Sequence, residues 1–145
     1  MNHFEADDAI ATAVYKWKYS KKVQQIVICS PDKDLTQMVD KNLVVCLDRR
    51  RNLLIDESAV KNKFGVFPNS IPDYLALVGD RADGIPGVSR WGHKVSSQIL
   101  SCYHHIENIP EDPFLWTVKP RGFESLAKNL QAHRNEVTLY KTLTT

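Results

Sequence analysis

Two short apolar runs rich in β-branched residues, VQQIVIC at 23–29 and LVVCL at 43–47, set the terms for any fold of this chain. Each is of strand length. The first is closed by Ser30-Pro31, the second by the polar turn DRRRN. Between them, DLTQMVD at 34–40 has the pattern of a short helix, and the order strand–helix–strand predicts an α/β layer. LLI at 53–55 is a candidate edge strand. Ahead of the first run, residues 5–19 predict a helix, with Ile10, Ala13, Val14 and Trp17 at helical spacing. Trp17 lies on that apolar stripe, so burial is expected for it rather than stacking on a base. Beyond residue 56 the pattern is helix and turn. Residues 57–64 predict a helix that stops at Gly65, a residue suited to a left-handed C-cap. Residues 70–78 predict another with Pro72 in its first turn. Residues 93–103 and 122–143 predict two more, with a proline-spaced loop over 109–120.

So few strands make a thin sheet. The chain opens on a charged helix and ends on LYKTLTT in mid-pattern, and the expectation is a piece of a longer chain whose sheet is incomplete. Composition adds limits. With 145 residues, 43% hydrophobic and 25% charged, the chain is sized for one ordinary globular unit. A net charge of +2 does not by itself point to nucleic acid, so basic residues must be weighed locally. Cys29, Cys46 and Cys102 are an odd number without a C-x-x-C pair. Two of them fall in the apolar runs, which predicts buried free thiols and a reducing compartment. No apolar run reaches membrane-spanning length and no signal-peptide pattern opens the chain, so a cytoplasmic protein without a membrane partner is expected.

Three acidic clusters carry the chemistry: Glu5, Asp7 and Asp8; Asp32 and Asp34; Asp80 and Asp83. Each sits at an element end, where helix capping and the helix dipole alone favour acids. Asp32 and Asp34 also follow a strand at its carboxyl end, where open α/β sheets place their sites. If the three clusters converge, like charges repel and raise one another's pKa. Divalent cations relieve this, and an all-oxygen donor set suits Mg²⁺ or Mn²⁺. Two such ions about 3.5–4 Å apart are the arrangement for in-line phosphoryl transfer. No His or Cys has zinc-ligand spacing: His104 and His105 are adjacent, while His3, His93 and His133 stand apart. GIPGVSRWGHK at 84–94 places glycines at 84, 87 and 92 between two helices. Such a turn points N–H groups outward toward a helix N-terminus, which suits a phosphate, with Arg90 and Lys94 adding charge. An ordinary Gly/Pro turn has the same composition. An EF-hand loop is excluded because Ala82 takes a ligand position.

Taken together, EADD, SPDKDL and YLALVGDRADGIPGVSRWGHK resemble the 5′-nuclease family, which includes the 5′–3′ exonuclease domain of bacterial DNA polymerase I and the flap endonucleases. The motifs run in order from residue 5 to about residue 100, and LYKTLTT is similar too. The resemblance implies a PIN-like α/β nuclease core over residues 1–68 and a helical region with a helix-hairpin-helix (helix–three-turn–helix) element over 69–145. It implies that Glu5, Asp7, Asp8, Asp32, Asp34, Asp80 and Asp83 hold two Mg²⁺ or Mn²⁺ ions. It implies that the turn, with Gly84, Gly87, Val88, Arg90, Trp91, Gly92 and Lys94, grips duplex DNA through backbone groups and a K⁺ ion. Lys33 and the Arg49–Arg51 run are further candidates for phosphate contact. The activity implied is metal-dependent 5′–3′ exonuclease or 5′-flap endonuclease action on DNA. This chain shows Ala82-Asp83-Gly84 where many members have Ser-Asp-Asn, and the acid is kept. It contains nothing that matches the family's first metal-binding strand or its Lys/Arg/Tyr-rich arch, so its own activity stays open.

Two rivals remain at this point. DKDLT, from Asp32 to Thr36, matches the signature of haloacid-dehalogenase-like phosphatases, with Asp32 as nucleophile and Asp34 as acid/base. That reading leaves EADD and the hairpin unexplained. The other rival is a catalytically inactive duplex-binding module that uses the hairpin alone. An unpaired sheet edge would also invite self-association.

Overall fold

The computed structural model describes residues 4–145. Residues 1–3, with His3 and the start of the 1–68 segment, lie outside the described residues. Three strands form the sheet in the order β1 (Ile26–Ile28), β2 (Val44–Asp48), β3 (Leu53–Ile55). β1 runs parallel to β2, with Ile26, Val27 and Ile28 opposite Val44, Val45 and Cys46. β3 returns antiparallel, Cys46 opposite Ile55, so the candidate edge strand is real. A parallel pair needs a crossover. Here it is a 3₁₀ helix, Lys33–Met38, where a short α-helix over 34–40 is expected from the sequence. Local polar groups favour the tighter winding. Asp32 caps it by accepting from the Asp34 N–H at 3.0 Å, Gln37 turns back on the Asp34 carbonyl at 2.9 Å, and Val39 is already extended.

Six α-helices complete the chain: α1 (Ala6–Lys18), α2 (Glu57–Phe64), α3 (Ile71–Val78), α4 (His93–Tyr103), α5 (Phe123–Ala132) and α6 (Arg134–Thr144). α2 is delimited as its sequence predicts. Asp56 accepts from Ala59 N–H at 2.8 Å, and Gly65 closes the helix at φ 73°. The single helix expected over 122–143 is two. At His133 the backbone leaves helical geometry, its N–H is shared between the Asn129 and Leu130 carbonyls, and its ring Nδ1 meets the Asn129 carbonyl at 2.9 Å. Apolar spacing continues across the break, so periodicity alone does not register it.

α3 is the axis of the molecule. Ile71 through Leu77 are all buried, and the helix packs against α4 and α6. One continuous core runs from Val14, Ile28 and Val44 through Leu75 and Ile99 to Leu126 and Val137, joining the sheet to the helical half. Trp91 and Trp116 meet edge to face at 6.1 Å within it, and each indole N–H is satisfied, on the Leu126 and Pro110 carbonyls. The one buried charge of α3, Asp73, is fully covered. It accepts from Ile106 N–H at 2.9 Å and faces His105 Nδ1 at 3.0 Å and Lys141 Nζ at 2.8 Å, which binds α6 to the axis.

Two expectations fail here. Trp17 is 50% exposed, and of its stripe only Val14 is buried, because α1 rests on little more than β1 and the 3₁₀ crossover. Cys29 lies just past the end of β1 and is exposed, as is Cys102. Only Cys46 is buried, its thiol pushed up to about 11 by that burial. A thiol-reactive chromophore should therefore titrate two cysteines in the native protein and the third only after denaturation. Asp73→Ala strands the Ile106 N–H and removes the buried one of the two carboxylates that hold Lys141, so it should lower unfolding free energy by about 3 kcal/mol in urea melts.

Candidate metal centre

Each acidic cluster is held by a distinct local device. On α1, Glu5 and Asp8 form a reciprocal capping box, with Glu5 N–H donating to Asp8 Oδ2 at 2.9 Å. These acids cap the helix and line the cleft at once. After β1, the Ser30 hydroxyl accepts from Asp32 N–H at 3.1 Å, and Asp32 in turn accepts from Asp34 N–H. This holds one carboxylate at the surface and the other half-buried. After α3, the chain reverses so tightly that Asp80 and Ile85 exchange both backbone hydrogen bonds, at 2.7 Å each. Gly79 (φ 90°) and Gly87 (φ 73°) permit this. A Cβ on Gly79 would stand 2.8 Å from the Ile85 carbonyl oxygen, and one on Gly87 would stand 2.7 Å from the Leu77 oxygen and the Gly79 nitrogen. Asp80 is thereby buried, with Oδ1 accepting from Ala82 N–H at 3.0 Å, while Asp83 stands exposed at the tip.

The three devices face one another. Glu5, Asp7, Asp8, Asp32, Asp34 and Asp83 line a single cleft of about 870 Å³. Asp80 joins them through its wall: oxygens of Asp34, Asp80 and Asp83 lie within 4.8 Å of one another. Proximity has an electrostatic consequence. Burial raises the Asp34 carboxyl to about 7, helped by its hydrogen bond to Asp83 and the charge of Asp32. Asp7 is raised by burial and then by the charges of Asp32, Glu5 and Asp83, so α1 feels both other clusters.

Lys33, a candidate phosphate contact in the sequence, is turned inward. Its ammonium lies 2.5 Å from Asp80 Oδ2 and 3.9 Å from Asp34 Oδ1. Burial opposes ionisation of Asp80, yet Lys33 outweighs it and holds that carboxyl below the usual range. One ammonium cannot neutralise seven acids. Asp34 Oδ1 and Asp80 Oδ2 are shielded from water without a hydrogen bond, the latter answered by the Lys33 ion pair alone. A buried carboxylate oxygen without a partner, in an oxygen-only donor set, fits a hard divalent cation. A second convergent group, Asp73, His105 and Glu107, is already filled by Lys141, 2.8 Å from both Asp73 and Glu107.

The turn between α3 and α4 divides its candidate residues. Gly84 and Gly92 face open space, and Lys94 is exposed in the first turn of α4. Arg90 takes φ 70° and donates to Ser125 Oγ at 2.8 Å, which ties the turn to α5. Val88 and Trp91 have buried side chains, and their N–H groups are taken by the Leu77 and Val88 carbonyls, so neither offers a donor outward.

Sequence reasoning missed the wall formed by the end of α6. Leu143, Thr144 and Thr145 line the cleft, and Gln37 Nε2 bridges the Asp34 and Thr144 carbonyls at 2.9 and 2.7 Å. No spacing signal spans that separation. Asp73 did leave a signal, a lone acid within the apolar IPDYLALV.

Residues 1–65 match the family model described as 5′-3′ exonuclease, N-terminal resolvase-like domain, and residues 66–145 match 5′-3′ exonuclease, C-terminal SAM fold. The 5′-3′ exonuclease of Aquifex aeolicus is 40% identical over 97% of this chain and 47% of its own. DNA polymerase I of Caldicellulosiruptor bescii is 37% identical over 98% of this chain and 16% of its own. Among solved structures, a mutant 5′-exonuclease of bacteriophage T5 aligns over 97% of this chain and 54% of that one, at 19% identity and a TM-score of 0.78. A T5 flap endonuclease in a pseudo-enzyme–product complex with DNA and metal ions aligns over 97% and 49%, at 19% and 0.78. The chain matches between a third and a half of the length of the relatives that are exonucleases alone.

The raised Asp34 carboxyl makes the centre pH-sensitive. Its folded value exceeds its unfolded one, so the stability it contributes is present at low pH and is lost as pH rises from about 4 through 7. A cation needs the ionised form. The rise in melting temperature given by Mn²⁺ should therefore be small at pH 5.5 and large at pH 8, and Asp34→Asn should abolish most of it, as read by differential scanning calorimetry.

Proposed function

The chain belongs to the 5′–3′ exonuclease family, and on that premise we propose that it carries the metal centre and duplex grip of a nuclease that hydrolyses DNA at a 5′ end or 5′ flap. The observation that carries this reading is the convergence of Asp34, Asp80 and Asp83 within 4.8 Å, with Asp34 Oδ1 buried without a hydrogen bond, in an acid-lined cleft. Glu5, Asp7, Asp8, Asp32, Asp34, Asp80 and Asp83 are the ligands, and none is a nucleophile. Bound there, two Mg²⁺ or Mn²⁺ ions supply a water of lowered pKa and charge opposite the leaving oxygen. The chain's own residues do the rest. The Gly79–Gly87 contact holds Asp80 rigidly. Lys33 keeps Asp80 ionised and ready to bind. Gln37 locks the Asp34 backbone against α6.

Gly84, Gly87, Gly92 and the free N–H groups at the start of α4 receive a duplex phosphate, aided by Lys94 and by K⁺ at the turn. Val88 and Trp91 serve by shaping this turn from within. The free cysteines suit a reducing cytoplasm where DNA is the partner. The phosphatase alternative leaves Glu5, Asp7, Asp8 and the glycine turn without a role. A duplex-binding module without cleavage is favoured by one observation: the turn is built by α3, α4 and α5 contacts that need no metal. The outer edge of β1, unpaired among the described residues and bearing a half-exposed Val27, is a surface for pairing a second copy.

The test is cleavage of an end-labelled 5′-flap DNA with Mg²⁺, with Mn²⁺ and with EDTA. Cutting should require metal, and Asp80→Ala should slow it at least about 100-fold. Cutting in EDTA, or at full rate in the variant, overturns the nuclease reading. Metal-independent duplex binding without cutting selects the binding module. In either case Lys94→Ala should weaken duplex affinity for all sequences alike and reduce the slope of log K against log salt by about 0.9.

A further inference from the structure

A second cavity, of about 640 Å³, adjoins the metal cleft along α1 and shares Ala11, Gln37 and Met38 with it. Its walls are aromatic on both sides. From α1 come Tyr15 and Tyr19, 77% and 75% exposed, in edge contact at 6.3 Å. Opposite stand Phe67 and His104, with ring centroids 6.5 Å apart. Two ammonium groups lie over these rings, Lys18 at 5.6 Å from Tyr19 and Lys61 at 4.6 Å from Phe67. The acids of the groove are already engaged, Asp40 by Lys18 at 2.6 Å and Glu57 by the Lys41 N–H at 3.2 Å.

His104 is held there at a conformational cost. Its φ of 64° and ψ of −43° form a γ-turn of the strained hand, closed by His105 N–H on the Tyr103 carbonyl at 2.7 Å. A glycine would sit there without strain, yet the chain keeps an imidazole facing Phe67. Exposed rings flanked by cations make a surface for unpaired nucleobases, each of which offers a π-face, and since Lys18 is held by Asp40 and Lys61 by the Gly65 carbonyl, the rings carry the contact. The distance is short: Tyr15 lies seven residues along α1 from Asp8, ~10 Å by helix rise.

We propose that this groove binds the unpaired bases of a single strand that runs on from the metal centre. The proposal rests on the nuclease reading for its direction and on the groove's own rings for its affinity. It is tested by anisotropy of a fluorescent oligothymidylate, in EDTA, against an equal-length duplex. Tyr15→Ala/Tyr19→Ala should weaken oligonucleotide binding at least about tenfold and change duplex binding less than twofold. Both residues are exposed, so melting should not change. His104→Gly relieves the strained turn and should raise the melting temperature while weakening the same binding, a pairing that a merely structural role would not produce. A bromodeoxyuridine oligonucleotide should crosslink to peptides carrying Tyr15, Tyr19 or Phe67.

Binding within twofold of wild type in both variants overturns the proposal. So does an abasic strand that binds as tightly as oligothymidylate. Loss of self-association in the tyrosine variant, seen by sedimentation with oligonucleotide binding intact, overturns it in favour of a second copy. Asp80→Asn separates the two readings. Ring-dependent binding without metal-dependent cutting in any form sinks the nuclease reading alone, whereas cutting with ring-independent binding sinks the groove alone.

Discussion

Repulsion among carboxylates brought from three separate parts of the chain is the force the rest of the molecule has to contain. Glu5, Asp7 and Asp8 arrive on a helix start, Asp32 and Asp34 on the exit of a parallel strand, Asp80 and Asp83 on a tight reversal. Left to themselves these charges would push the elements apart. Two devices hold them: a lysine drawn inward to Asp80, and a raised proton affinity at Asp34. Both are weaker answers than a divalent ion, which is why the arrangement reads as a site and not as a structural ion-pair network.

Containment depends on rigid support behind each acid. The backbone contact at Gly79 and Gly87 leaves Asp80 no freedom, and it hangs directly from α3, the most deeply buried helix. α3 is in turn bolted to α6 by Asp73 and Lys141, and the end of α6 closes the cleft through Thr144 and Gln37. Packing, buried charge and site geometry therefore form one chain of cause.

Much of this was legible in the sequence, and the exceptions have physical reasons. Strands β1 and β2 and helices α2, α3 and α4 announce themselves through apolar runs, caps and glycine stops, because those signals are local. The acids could be picked out because they crowd element ends. What stayed hidden depends on tertiary partners. Lys33 has no feature that says whether it points out to phosphate or in to Asp80. Trp17 sits at helical spacing, but spacing does not say whether a neighbour is there to cover it. Cys29 falls one residue beyond its strand, and that residue decides between core and solvent. The break at His133 is invisible because α5 and α6 keep the same apolar phase across it. Val88 and Trp91 read as turn residues, yet their side chains belong to the core that lies beneath that turn.

The bridge made by Gln37 joins a near carbonyl to a distant one: Asp34 is three residues away in sequence, Thr144 is 107. Contacts of such sequence separation are closed late, since the entropy of the intervening loop must be overcome before they return anything. The cleft is therefore among the last parts of the molecule to assemble. Until α6 docks, the carboxylates stay scattered, and the cleft takes its shape only when that helix closes it.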